Sequence, residues 1–221
     1  MNYRIIKNRT INNRIMSERI MNKFIMKSVF LISLGVIFAF NTQTLQAMTA
    51  TESLEITINK LISIAKDKTL DKNAQLSGLK KIINEDVNFE AVSRRVVVKP
   101  WKKATDEQKS QFKVLFSDII VNTYFSLLEN YTDEQVLYVK EQIKREKYAS
   151  VDTVIVLEKK KVPVRYKLLK AGEQWKIYDF SPEGISLIST YKKNYAPILR
   201  KNGMAGLLEE MTSKSETKAE E

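Results

Sequence analysis

Histidine and cysteine are both absent from the 221 residues. Without histidine there is no Ser-His-Asp or Cys-His triad, no imidazole general base and no histidine-rich zinc site. Without cysteine there is no thiol nucleophile, thiolate metal site or structural disulfide, and no N-terminal cysteine for a lipoprotein anchor. Long apolar runs are lacking too: the uncharged stretch from Val29 to Phe40 has 12 residues, against the roughly 20 that a helical membrane span requires. The catalytic menu is short.

What remains is apolar bulk and positive charge. Hydrophobic residues make up 43% of the chain, enough for the core of one ordinary domain. The 37 basic and 26 acidic residues give +11, but the first 47 positions hold seven of the basic residues and one acidic residue. The remainder therefore carries 30 minus 25, or +5. That excess is modest and no nucleic-acid motif accompanies it, so a nucleic-acid partner is not expected.

Those first positions read as an address. Arg4, Lys7, Arg9, Arg14, Arg19, Lys23 and Lys27 precede the apolar stretch, and Leu45-Gln46-Ala47 ends it with the small residue that signal peptidase favours. A cleavable signal peptide over 1–47 is expected, with Met16, Met21 and Met26 as alternative starts. An uncleaved anchor or a buried helix is the bland alternative, but the run is short for the first and its basic leader odd for the second. Export of a cysteine-free chain points to the periplasm of a bacterium.

After the cut, apolar residues at three- and four-residue steps predict a helix from Thr51 to Lys66, a second after Asp71 and a short third around Phe89 to Arg95. Thr105 and Gln108 form a capping box for a longer helix bearing Phe112, Phe116, Ile120, Tyr124, Leu128 and Tyr131. The period then changes. Val162, Val164, Tyr166 and Leu168 alternate with polar residues as in a strand with one buried face, and Lys170 to Glu173 turns the chain into a returning strand with Trp175 and Ile177. Two further strands, Gln135 to Lys144 and Ser150 to Glu158, complete an antiparallel meander. A final helix follows Ser181-Pro182-Glu183-Gly184 and stops at Gly203, with one more short turn of helix at Leu207 to Met211. The polar tail 212–221 is expected to be disordered. The fold class is α+β: helices packed on one face of a curved antiparallel sheet of about four strands, a layer that can close over an apolar cavity.

Several stretches carry a resemblance. Asn88-Phe89-Glu90-Ala91-Val92-Ser93-Arg94, then Trp101 to Gln108 followed by Phe112 and Phe116, and above all Trp175-Lys176-Ile177-Tyr178-Asp179 running into Glu183-Gly184-Ile185-Ser186-Leu187, are similar to the MlaC or toluene-tolerance family. The likeness spans about Leu54 to Met211, which sets the expected domain at 48–211. Two positions depart from the family's pattern: Val98 stands where glycine is common and Lys192 where arginine is common. The second weakens bidentate phosphate binding there. The resemblance implies a periplasmic phospholipid carrier that is not an enzyme, needs no cofactor, and shuttles lipid between the two membranes as the soluble part of an ABC-transporter-linked lipid asymmetry system. It also implies docking on an inner-membrane ABC transporter complex with its MCE-domain protein and on an outer-membrane lipoprotein and porin complex.

Such a job is physical rather than chemical. Each methylene exposed to water costs about 0.8 kcal/mol, so two acyl chains of about thirty methylenes cost on the order of 20 kcal/mol outside a membrane. A carrier must offer a dry slot. On the sheet the slot is expected at Val154, Val156, Val164, Tyr166, Leu168 and Ile177; on the long helix at Phe112, Phe116, Ile120, Tyr124 and Leu128; and Ile185, Leu187, Tyr191 and Tyr195 would close it. Periodicity alone describes an ordinary core equally well, and it is the resemblance that makes a lining of these residues. Tyr124, Tyr131, Tyr191 and Tyr195 suit either a cavity mouth or satisfied core hydroxyls. Arg94, Lys99, Arg165 and Lys192 are candidate head-group or membrane contacts, with plain solvated charge as the alternative. Asp118, Glu129, Asp152 and Asp179 show no catalytic spacing. The rival functions are a periplasmic binding protein for another apolar molecule and an interaction module that encloses no lipid.

Overall fold

The computed structural model describes residues 48–129 and 135–219, apart from the side chains of 126–129 and 215–219. The expected signal peptide, the Leu128 side chain and Tyr131 lie outside the described residues.

Each early helix begins where a short polar side chain satisfies free amides. Thr49 and Glu52 form a reciprocal capping box at the start of α1, Ala50–Lys66. Asp71 accepts from the Ala74 amide to open α2, Lys72–Asp86, and Asn88 accepts from Ala91 to open α3, Phe89–Val97. A single 3-10 turn, Pro100–Lys102, leads to α4, Asp106–Glu129, whose start is held by the expected Thr105 and Gln108 pair. α3 outruns its expected end by two residues and stops at Val98, which adopts φ 61°, ψ −112°. A β-branched residue is strained in that region, by about 1–3 kcal/mol, and glycine is not.

Four strands follow in the order β1-β2-β3-β4, all antiparallel. They are β1, Gln135–Lys144; β2, Tyr148–Val156; β3, Lys161–Ala171; and β4, Gln174–Pro182. β2 starts and ends two residues earlier than its apolar run suggests, because its register follows β3, with Tyr148 opposite Leu169 and Val156 opposite Lys161. α2 and α3 meet the outer edge of β4 through a parallel bridge between Val87 and Ile177 and the Asn88 amide donating to the Ile177 carbonyl at 2.7 Å.

The last helix, α5, spans Leu187–Ala219 with a break at Gly203 (φ 64°, ψ −159°), a conformation open to glycine. Gly203 therefore kinks the helix where the pattern predicted a stop. Beyond it Met204, Leu207, Leu208 and Met211 are buried. That anchor, the Thr212 hydroxyl donating to the Leu208 carbonyl and the Glu210–Lys214 ion pair carry the helix into the segment from Thr212 that composition marks as disordered. At its start the Asp179 carboxylate, 3% exposed, accepts from the Ser186 hydroxyl and the Ile188 amide and pairs with Lys167 at 3.0 Å.

Candidate functional site

Opposite residues of antiparallel strands point to the same side of a sheet. The pairs Ala149/Leu168, Val151/Tyr166, Thr153/Val164 and Ile155/Val162 thus share one face of β2 and β3. β1 adds Val136 and Tyr138, and β4 adds Ile177 and Phe180. This is the face that α1 covers, but it does so unevenly. At one end Ala149, Val151, Leu168 and Trp175 are buried against Ala50, Leu54 and Ile58, and the Trp175 indole donates to the Met48 carbonyl at 3.1 Å. Further along, Val136, Tyr138 and Tyr166 are half-buried at the margin of that same cluster, Thr153 and Val164 are buried, and Ile155, Val162 and Phe180 beyond it are half-buried.

Over that half-open end, α4 meets the sheet through rings rather than backbone. α4 packs on α1, α2, α3 and α5, and among the described residues its ring contact with the sheet is Tyr124 against Phe180, at 5.0 Å and 70°. Phe180 in turn stacks on Tyr166 at 6.2 Å. Burial pushes the Tyr166 phenol up to about 12, and burial followed by the neighbouring Tyr191 raises that of Tyr124. Tyr166 is thus enclosed enough to resist ionisation while keeping accessible surface. Such a side chain borders a seam in the packing, with an oily wall and a few hydroxyls.

The remaining expected site residues sort into three groups. Phe112, Phe116, Ile120, Leu187 and Tyr195 are buried in the helical layer together with Val96, Trp101 and Leu207. Their rings form a continuous stack, with Trp101–Phe112 at 5.8 Å, Phe112–Phe116 at 5.4 Å, Phe116–Tyr191 at 4.9 Å and Tyr191–Tyr195 at 5.6 Å. They fill the core between α3, α4 and α5, and the seam rings Tyr124 and Phe180 pack against that core. Val164, Tyr166, Leu168 and Ile177 lie on the covered face as expected. Val154 and Val156 do not: opposite Pro163 and Lys161, they face the other way. Ile185 is 66% exposed on the turn before α5 and closes nothing.

Of the candidate cations, Arg165 lies on the outward face and grips Asp152 with two bonds, 2.6 and 3.1 Å. That bond holds the Asp152 carboxyl below its usual range. Lys192, Arg94 and Lys99 are exposed. Asp118 pairs with Lys80, and Asp179 is spent on capping α5. Among the described residues no group of three or more acidic side chains is placed to hold a metal, and no helix is long and apolar enough to cross a membrane.

Val136, Tyr138, Ile155, Val162 and Phe180 were not expected at the site. The alternation of Val162 with Val164 could have found the first of the β3 residues, whereas in β1 an irregularity between Tyr138 and Lys140 breaks the period. Three hollows of about 440 to 490 Å³ also open on the molecule. None of the three is walled by the covered sheet face.

Residues 55–213 match the family described as MlaC protein, which is well over half of the chain. The chain belongs to the MlaC family. Its curated relatives include the intermembrane phospholipid transport system binding protein MlaC of Haemophilus influenzae, 28% identical over 148 residues, covering 60% of this chain and 66% of that one. The toluene tolerance protein ttg2D of Pseudomonas putida is 25% identical over 176 residues, covering 77% of this chain and 82% of that one. Among solved structures, a phospholipid-binding protein from Ralstonia solanacearum, determined in complex with a phospholipid, superimposes with a TM-score of 0.71 at 20% identity, covering 78% of this chain and 99% of that one. At that identity the likeness establishes the fold. This MlaC-family chain therefore has the helices-on-sheet architecture that its periodicities implied.

Proposed function

We propose that this MlaC-family chain is a periplasmic phospholipid carrier, exported by its N-terminal segment, that moves lipid between the inner and outer membranes. Acyl chains enter the seam between α4, α1 and the half-buried end of the sheet, while the polar head stays at its wet mouth. The observation that carries this reading is the set of apolar and aromatic side chains Ile155, Val162 and Phe180, with Tyr166 at the margin of the α1 cluster, left half-buried on the face whose other end α1 seals. Water against that row is unfavourable by about 25 cal/mol per Å², a deficit that an acyl chain removes. Because Tyr124 and Phe180 touch across the seam, loading requires the two rings to part. Docking on an ABC transporter complex with an MCE-domain protein and on an outer-membrane lipoprotein and porin complex completes the proposal.

Native mass spectrometry of protein purified from the periplasm tests it, with the wild type expected to carry phospholipid. Ile155→Asp places a carboxylate in the seam and is expected to abolish loading. Val154→Asp, one residue away on the outward face, is expected to load normally. Equal loading by both variants, or a wild type that never takes lipid from vesicles, sinks the reading. A different apolar molecule in the seam would favour the binding-protein alternative.

A further inference from the structure

The positive charge of this chain is not spread over its surface. Between Arg94 and Lys113 stand seven basic residues and two acidic ones, an excess of +5. The rest of the chain after Ala47 has 23 of each sign. Twenty residues on α3, the 3-10 turn and the start of α4 thus carry the whole surplus.

Folding gathers much of it around one hollow. Arg94, Lys102, Lys109 and Lys113 line a depression of about 470 Å³ together with Glu90 and Asp106. Lys109 pairs with Asp106 at 3.0 Å and Lys113 with Glu90 at 3.6 Å, which leaves Arg94 and Lys102 without an ion pair among the described residues. Lys99 and Lys103, close to Lys102 in the chain, are exposed. Arg95 is not part of the group, since it lies over the Tyr178 ring at 4.5 Å. The platform is rigid: the Trp101 indole donates to Glu90 at 3.1 Å, its ring packs edge-on against Phe112, and Val98 holds the turn in a strained conformation.

The geometry points to this basic hollow as the docking surface for an acidic protein partner. The proposal builds on the carrier reading, which needs such a surface. A depression receives a protruding acidic side chain or loop better than it does a flat bilayer, and Arg94 and Lys102 are the cations left to meet it. The aromatic residue that would anchor in a lipid interface, Trp101, is turned inward at 4% exposure. Unpaired cations around a preformed hollow speed encounter and select partners of opposite sign.

A fluorescein-labelled dodecaglutamate peptide, titrated into the exported protein purified from the periplasm and followed by anisotropy, is the probe. Arg94→Glu with Lys102→Glu is expected to weaken binding by at least about tenfold, and added salt is expected to weaken the parent's binding. Lys159→Glu with Lys161→Glu, the same charge change at exposed positions elsewhere, is expected to bind like the parent. Equal loss in both double variants, or no peptide binding by the parent, overturns the proposal. So does sedimentation with phosphatidylglycerol vesicles that the Arg94/Lys102 variant loses while peptide binding survives, which would assign the hollow to membranes. Co-purified phospholipid, measured in parallel, is expected in both variants; its absence from every protein would fail the carrier reading while leaving the peptide result intact.

Discussion

The two ends of the covered sheet face are built from similar side chains and differ in what lies over them. At the Trp175 end, the first turns of α1 press Ala50, Leu54 and Ile58 onto Ala149, Val151 and Leu168, and Leu54, Val151 and Leu168 keep no measurable exposure. At the Phe180 end Tyr124 reaches across with a ring, and Ile155, Val162 and Tyr166 stay half-buried. The same apolar alternation serves as foundation in one place and as the lining of a seam in the other. Side-chain chemistry does not separate the two roles, but what packs over each end does.

The largest effect separating the ends is expected from Leu168→Ala, which opens a cavity under α1 and costs about 2–5 kcal/mol in denaturant unfolding. Val162→Ala at the open end costs no more than about 1 kcal/mol, because the neighbouring space is already accessible; equal losses would erase the distinction between a sealed and an open end. Alkaline titration sharpens it further. Burial raises the Tyr166 phenol from 10.0 to about 12, so between those values the unfolded chain sheds a proton that the native chain retains. Stability is therefore full below pH 10 and falls as pH rises to about 12, by on the order of 2 kcal/mol after allowance for the exposure the ring retains. Tyr166→Phe is expected to remove that component of the decline, and an unchanged slope would place the ring in ordinary contact with water. The smallest effect lies away from both ends: Val98→Gly relieves the positive φ, offsets part of that gain through chain entropy, and stabilises by about 1 kcal/mol in a thermal melt. A loss instead would mean that Val98 is not strained.

Much of the architecture is legible in the sequence. The capping box at Thr105, the four strands and the turn at Gly172 all follow from local chemistry, and the family-like block from Trp175 to Leu187 falls on β4, the turn after it and the first residue of α5. The site is less legible. β2 has apolar residues at Val151, Val154, Ile155 and Val156, hence on both faces, and nothing local says which parity turns inward. Register against β3 selects Val151 and Ile155, and a slip of one residue would have reversed every assignment. Phe112, Phe116 and Tyr195 have the spacing of a lining and the surroundings of a core, since period identifies a buried stripe without naming what buries it.

By itself the sequence determined what this protein has no means to do and how its segments are periodic: no imidazole or thiol chemistry, helices from the 3.6-residue stripe, strands from the two-residue one. Those properties depend on residue type and on neighbours a few positions away. Only the tertiary structure decided that Ile155 rather than Val154 faces the seam, that Ile185 stays in solvent, and that cations spread from Arg94 to Lys113 converge on one hollow. Each of these depends on strand register or helix packing between residues far apart in the chain, which no local pattern records.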